Sequence, residues 1–114
     1  PDLNEARVMH SSCVQGRFLF VFCGFSYTRN YLNSLERLDA VADTSGKATQ
    51  WILICVSPEL LSARAMPVVV PINATEIFIM GGKDTGDFSD VCVFNTGTHQ
   101  VRRDKESLKM SGSD

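Results

Sequence analysis

The residues that could carry chemistry in this 114-residue chain are four cysteines, two histidines and one acidic cluster. Its only histidine bases are His10 and His99, and its cysteines are Cys13, Cys23, Cys55 and Cys92. Nucleophilic catalysis needs a nucleophile beside a base and an orienting group, and a structural zinc site needs ligands clustered in pairs. Because no two cysteines are close enough for a Cys-x-x-Cys pair, the pattern favours buried free thiols. No catalytic or metal-ligating residue is assigned.

A glycine-rich segment, residues 81–86, suggests a phosphate site, and three aspartates within and after it suggest a calcium site. A phosphate-binding loop ends in Gly-Lys-Ser/Thr and opens a helix, whereas this segment lies between two predicted strands. Calcium loops place their oxygen ligands at alternating positions, whereas Asp84, Asp87 and Asp90 are spaced by three residues. A solvated turn is the simpler interpretation, and no cofactor is predicted.

The segment of residues 25–31 holds the most informative candidates for a surface site. It contains Phe25, Tyr27, Arg29 and Tyr31. Aromatic residues and arginine are enriched at the hot spots of protein interfaces. The segment therefore indicates a binding site for a protein, although a loop that packs its own aromatics against the fold is the open alternative.

These side chains must be positioned by strands, because short apolar runs separated by turn residues recur along the chain. The predicted strands are residues 18–22, 35–38 and 50–54 in the first half and 68–70, 77–80, 91–94 and 100–102 in the second. The run at 18–22 is typical of a strand covered on both faces. One helical turn at 57–59 and a short helix at 104–110 complete the prediction.

Burial follows from these elements. Residues predicted to be mostly buried are Phe18, Phe20, Phe22, Trp51, Phe78 and Val91, with Trp51 inside a strand. Arg29 and Lys83 are predicted to be exposed, His10 to be packed, and His99 to lie beside a turn in solvent.

The chain contains an internal repeat. Residues 1–9 match residues 58–66 at an offset of 57, with Pro, Leu, Ala, Arg and Met in common. The apolar run that ends in Cys23-Gly24 matches the one that ends in Gly81-Gly82 at an offset of 58. Further along the chain the offset becomes 56, and Ser34 falls on Asp90. Two such units account for the length, so the predicted boundaries are 1–57, 58–103 and a tail at 104–114.

The duplicated landmarks resemble kelch repeats, which combine an arginine before the first strand, a double glycine, a Tyr-Asp pair and a Trp. Here the landmarks are Arg7 and Arg64, Cys23-Gly24 and Gly81-Gly82, Leu38-Asp39 and Phe94-Asn95, and Trp51 and Val101. The resemblance implies an all-β fold of two four-stranded antiparallel kelch-type blades, part of a β-propeller. Since propellers close with 4–8 blades, it also implies further blades from a longer chain or from other copies, and an isolated chain that is not a well-behaved monomer.

The resemblance further implies a protein-interaction module, an adaptor or scaffold, whose partner binds the loop face of the propeller. Carried over to this sequence, it selects as partner-binding residues Arg7, Phe25, Tyr27, Arg29, Arg64, Lys83 and Asp84. The alternative is a fragment of an enzymatic kelch propeller of the oxidase or isomerase type. Tyr27 and Tyr31 do not reproduce the copper site of such oxidases, so no catalytic residue is carried over.

The composition of the chain limits the classes of partner that it is expected to bind. Eleven basic and thirteen acidic residues give a net charge of −2, which argues against nucleic acid. No apolar run is long enough for a transmembrane helix, so no membrane contact is expected. Four cysteines are too few for a disulfide scaffold, which favours a cytoplasmic location, although Asn73-Ala74-Thr75 is a glycosylation acceptor sequence.

Overall fold

The chain folds into two antiparallel sheets of four strands each. The computed structural model describes residues 2–41 and 50–103. The first sheet contains β1 (Ser11–Gln15), β2 (Phe18–Ser26), β3 (Asn30–Asp39) and β4 (Ile52–Ile54), and the second contains β5 (Val68–Pro71), β6 (Glu76–Met80), β7 (Val91–Asn95) and β8 (Val101–Arg103). In both sheets the strands lie side by side in chain order. The all-β class and the two four-stranded antiparallel units are thus confirmed.

Two parts of the sequence lie outside the described residues, namely the predicted helix at 104–110 and residues 42–48, an extra stretch that the first repeat carries between the Asp39 and Trp51 landmarks. The predicted helical turn at 57–59 is a hydrogen-bonded turn, in which the amides of Leu60 and Leu61 donate to the carbonyl of Ser57. Among the described residues, no helix has the length and apolar character needed to cross a lipid bilayer.

Strand β2 is covered on both faces, as its continuous apolar run predicts. Phe20, Val21 and Phe22 are all buried although their side chains alternate in direction. The predicted strand ends at Phe22, whereas β2 continues to Ser26. A bulge between Phe22 and Gly24 absorbs the register shift and lets pairing with β3 resume. Residues 25–31 are therefore a paired hairpin end rather than a free loop.

The sequence repeat is also a repeat of backbone conformation. Positive φ angles recur at the matched positions, in the pairs Met9 (55°) and Met66 (52°), Cys23 (60°) and Gly81 (63°), and Gly24 (106°) and Gly82 (98°). Two of these residues are methionines, a type that seldom adopts this conformation. The agreement shows that the offsets of 57 and 58 residues align equivalent points of the two sheets.

The second glycine of each pair is required by a close approach of two backbones. A Cβ atom on Gly24 would lie 2.7 Å from the carbonyl oxygen of Val8, and one on Gly82 would lie 2.9 Å from that of Ala65. At both places the segment before the first strand forms an isolated bridge to the residue after the glycine, Phe25 or Lys83. Any side chain at either glycine would block this contact.

The core lies between the two sheets. We call the packed faces the inner faces; they contribute Phe20, Phe22, Leu35 and Ile54 from the first sheet and Ile77, Ile79, Cys92, Phe94 and Val101 from the second. The ring of Phe94 meets Phe20 and Phe22 edge-on, with centroids 6.1 Å apart in both cases. The two sheets therefore share a single hydrophobic core.

The burial predictions hold to different degrees. Val91 is buried with Phe20 and Phe22, whereas Phe18, Phe78 and Trp51 are only partly buried. Trp51 precedes β4 instead of lying within it. Arg29 and Lys83 are exposed as predicted, but the prediction of a packed His10 is wrong because this residue is exposed.

Candidate partner-binding site

The end of the β2–β3 hairpin presents a small aromatic cluster. Phe25 pairs with Tyr31 across the hairpin, and their rings meet edge-on with centroids 5.2 Å apart. Tyr27 packs edge-on against the other side of Phe25 at 5.7 Å. Because Tyr27 is still 86% exposed, it offers most of its ring surface to a partner.

The hairpin tip is held in one conformation by its own polar groups. The buried hydroxyl of Ser26 accepts hydrogen bonds from the amides of Thr28 and Arg29, each at 3.2 Å. Asn30 takes the left-handed conformation with φ of 65°, which asparagine tolerates better than most residues. A tip restrained in this way loses less conformational entropy when a partner binds.

A cavity of about 230 Å³ opens beside Tyr27. The residues that line it are Ala6, Arg7, Val8, Phe25, Ser26, Tyr27 and Thr28. Small-molecule sites usually enclose about 300–1,000 Å³. The cavity is therefore better suited to one large side chain of a protein partner than to a cofactor.

A charged pair borders the hairpin. Arg29 donates to the carboxylate of Glu5 at 2.6 Å, and the arginine side chain remains 69% exposed. Glu5 also accepts a hydrogen bond from the hydroxyl of Ser34. The Glu5 carboxylate also lies 3.5 Å from the guanidinium of Arg7. It is therefore held in place, and it orients the guanidinium of Arg29 while most of that side chain stays in solvent.

The second sheet reaches the aromatic cluster through Asp84. The hydroxyl of Tyr31 donates to the main-chain carbonyl of Asp84 at 3.2 Å. The carboxylate of Asp84 accepts the amide of Gly86 at 3.0 Å and so closes its own turn, while Lys83 beside it is exposed. Five of the predicted residues, Phe25, Tyr27, Arg29, Lys83 and Asp84, thus lie on one connected surface, which we call the hairpin face.

The other two predicted residues, Arg7 and Arg64, do not present their charge at this surface. Both guanidinium groups are fully buried, so neither offers its charge to a partner, although Arg7 also lines the cavity beside Tyr27. Each arginine donates at 2.9 Å to a carbonyl at the first position of the glycine pair, that of Cys23 or Gly81. The arginines satisfy buried carbonyl groups that the irregular strand ends would otherwise leave unpaired.

Each buried arginine is neutralised by a carboxylate of its own sheet. Arg7 contacts Glu36 at 2.8 Å, and this carboxylate also accepts the amides of Asn4 and Glu5. Arg64 contacts both oxygens of Asp90, at 2.5 and 2.9 Å. The pairs are equivalent without being identical, because Ser34 occupies the position of Asp90 in the first sheet.

The aspartates considered as a calcium site are divided between separate tasks. Asp90 binds Arg64 and Asp84 closes its turn, so their carboxylates do not converge. Although partial burial opposes it, the hydrogen bonds and charge of Arg64 hold the pKa of Asp90 below its usual value. Within residues 2–41 and 50–103, no three His, Cys, Asp or Glu side chains are grouped closely enough to hold a metal ion.

The cysteines occupy separate places in the fold, and all four are free thiols. Cys23 and Cys92 are buried as predicted, Cys13 is half-buried, and Cys55 is exposed, contrary to prediction. Burial raises the pKa of the Cys23 thiol to about 12 and that of Cys13 to about 11. Neither forms an appreciable thiolate near neutral pH, as a nucleophile would require.

The two histidines have different surroundings. Desolvation and the positive charge of Arg7 lower the pKa of His10. His99 stacks on Phe94 with ring centroids 6.1 Å apart and is half-buried, so the prediction of a solvated side chain is wrong. Its ring completes the end of the hydrophobic core.

Sequence reasoning missed two residues of the hairpin face, Glu5 and Val8, and the role of a third, Tyr31. Glu5 pairs with Arg29 from 24 positions away, and no local pattern signals a contact at that separation. Tyr31 was recognisable as an aromatic of the segment, but its role as the contact to the second sheet depends on the hairpin register. Val8 lines the cavity because its segment bridges to Phe25.

No protein-family model matches the chain, and a search of curated proteins finds no significant match. The resemblance to kelch repeats therefore remains a prediction that rests on the landmarks of the sequence.

Proposed function

We propose that this chain is a pair of kelch-type propeller blades that acts as a protein-interaction module without catalysis of its own. Its partner binds the hairpin face, and an apolar side chain of that partner enters the cavity beside Tyr27. The observation that carries the proposal is the exposed ring of Tyr27, held at a rigid hairpin tip over that cavity.

The arrangement has the anatomy of an interface hot spot. Such sites combine an aromatic anchor, a desolvated pocket and a polar rim. Here the anchor is Tyr27, the pocket is the cavity, and the rim is formed by Arg29 with Glu5 on one side and Lys83 on the other. The free thiols fit a reducing compartment, and we infer a cytoplasmic location from them.

The test is selection of peptides from a random displayed library on the immobilised chain, followed by measurement of the dissociation constants of the selected peptides. Tyr27→Ala should weaken binding by roughly 30-fold, the loss expected for a hot-spot residue worth about 2 kcal/mol. Arg29→Ala should weaken binding to a smaller extent, because a charge at the rim contributes less than a desolvated anchor.

The matched control is Arg17→Ala. Like Arg29, Arg17 is an exposed arginine paired with a carboxylate, that of Asp39 at 2.8 Å, but it lies at the β1–β2 turn. The proposal is supported if the peptides bind Arg17→Ala as strongly as the unmodified chain but bind Tyr27→Ala much more weakly. Peptides that bind all variants equally, or a selection without enrichment, would contradict it.

A further inference from the structure

Each sheet has a second face that the shared core leaves uncovered. We call these the outer faces. The outer face of the first sheet includes Val14, Leu19, Val21, Leu38 and Leu53, and that of the second sheet includes Val68, Val70, Phe78, Met80, Val91 and Val93, as the strand registers require. Val14 is 62% exposed and Val68 is 57% exposed. Leu53 and Val70 are exposed as well, whereas Val21, Val91 and Val93 on the same faces are buried. Exposed apolar side chains grouped on one face mark an interaction site.

The repeat relates the outer faces to the inner faces. At the offset of 58 residues, Phe20 and Phe22 on the inner face of the first sheet correspond to Phe78 and Met80 on the outer face of the second. At the same offset, Leu19 and Val21 on the outer face of the first sheet correspond to Ile77 and Ile79 on the inner face of the second. Within one molecule the two inner faces pack against each other. By the repeat, the counterparts of these two faces are the two outer faces, which the shared core does not cover.

We propose that a second copy of this chain covers these faces in a head-to-tail arrangement. The outer face of the second sheet of one copy packs against the outer face of the first sheet of the next copy, in the way the two inner faces pack within one copy. This inference rests on the blade-like arrangement proposed above, but it does not depend on a partner at the hairpin face.

The charged group on the outer face of the first sheet does not oppose its burial. The side chain of Glu36 is fully buried, and Arg7 and the amides of Asn4 and Glu5 satisfy its carboxylate. At the equivalent position of the second sheet, Cys92 lies in the shared core. A compensated ion pair can be covered without leaving an unpaired charge.

The opposing face carries its charges at one end. Arg102 and Glu76 form an ion pair at 3.0 Å, and the arginine side chain is 58% exposed. The ion pair lies beside the six apolar residues of this face and not among them. Its composition therefore matches the apolar surface that the inner face of the first sheet presents to the core.

Main-chain groups support the same direction of stacking. Within the molecule the amide of Met66 donates to the carbonyl of Met9 at 2.8 Å. These residues share the left-handed conformation and are equivalent by the repeat. In the head-to-tail arrangement the amide of Met9 of the next copy would donate to the carbonyl of Met66, and so continue the pattern from sheet to sheet.

A head-to-tail contact closes into a ring when its rotation allows and otherwise propagates. Propellers close with about 4–8 blades, so two sheets per copy give a ring of two, three or four copies. The proposal commits to a discrete assembly whose mass is one of these multiples of the 12.6 kDa chain.

The test is light scattering with size separation on the unmodified chain and on two single variants. Val14→Asp places a charge on the outer face of the first sheet, and Val70→Asp places one on the outer face of the second. Each variant alone should be a folded monomer, because every head-to-tail contact between identical chains would include the outer face that carries the added charge. An equimolar mixture should form a dimer of one chain of each kind, because each variant retains the face that the other has lost.

Three results would overturn the proposal. They are a monomeric unmodified chain, a Val14→Asp variant that still assembles, and a mixture that stays monomeric. Far-UV circular dichroism checks that each variant is folded. If Val14→Asp does not fold, Leu53→Asp replaces it, and if Val70→Asp does not fold, Val68→Asp replaces it. Tyr27→Asp is the control: it should lose peptide binding but keep the assembly. Assembly and peptide binding are thus separate readouts, and they show whether the hairpin-face proposal or this one has failed.

Discussion

The arginines of the two sheets were recognisable in the sequence, but the burial of their guanidinium groups was not. Arg7 and Arg64 were identifiable as matched landmarks, and the resemblance to kelch repeats placed them among the partner-binding residues. Their partners Glu36 and Asp90 lie 29 and 26 positions away. Each arginine is therefore part of the fold, where a buried guanidinium needs its carboxylate to offset desolvation.

Removal of one carboxylate should be costly. Asp90→Asn leaves the fully buried Arg64 without a counter-charge, and we expect the free energy of unfolding to fall by about 3–5 kcal/mol. The matched control is Glu76→Gln, which alters the exposed pair with Arg102 and should cost less than about 1 kcal/mol. Urea denaturation of both variants measures the difference.

Acid provides a second readout of the same pair. Because the pKa of Asp90 is depressed in the folded chain, its contribution to stability is present above the unfolded pKa and is lost as the pH falls through the folded pKa. The stability difference between the unmodified chain and Asp90→Asn should therefore shrink in acid. Equal losses in the two variants, or a difference that does not change with pH, would contradict this role of Asp90.

At the scale of elements, apolar runs and glycines predicted the strands well but not their ends. The run from Phe18 to Phe22 located β2, and the strand was predicted to end there, before the landmark Cys23-Gly24. The structure uses these residues as a bulge, after which pairing resumes as far as Ser26. A glycine after an apolar run is compatible with both a turn and a bulge, so the sequence could not separate them, and the loop was predicted over residues 25–31, of which Phe25 and Ser26 pair with Tyr31 and Asn30.

The requirement for glycine where two backbones approach closely can be tested against a glycine in open surroundings. Gly82→Ala should destabilise the fold by about 3 kcal/mol, because a side chain at φ of 98° is strained and its Cβ would lie 2.9 Å from the Ala65 carbonyl. Gly16→Ala should cost roughly 1–2 kcal/mol, because that residue also has positive φ but no atom lies within 4 Å of the added Cβ. Thermal unfolding compares the two, and similar costs would show that the close approach contributes nothing.

At the scale of the whole molecule, each sheet buries one face in the shared core and leaves apolar residues of the other face exposed, among them Val14 and Val68. The described part of the chain is thin, with extents of 54 × 34 × 19 Å. Small domains already bury a limited share of their surface, and a layer with two uncovered faces buries less still. The repeat was visible in the sequence, but the direction of each side chain was not, so only the registers revealed that the uncovered faces are equivalents of the packed ones.

If copies cover each other's outer faces, thermal stability must depend on concentration. An assembly that binds folded chains and not unfolded ones raises the midpoint of unfolding by mass action, and a tenfold rise in concentration is equivalent to as much as about 1.4 kcal/mol per chain. For a domain of this size each kcal/mol corresponds to roughly 4–8 °C, so melts recorded at two concentrations should differ by several degrees. Val70→Asp removes one of the two faces and should melt at a lower temperature that does not change with concentration. Midpoints of the unmodified chain that coincide at both concentrations would mean that the outer faces stay uncovered and that the shared core alone sustains the fold.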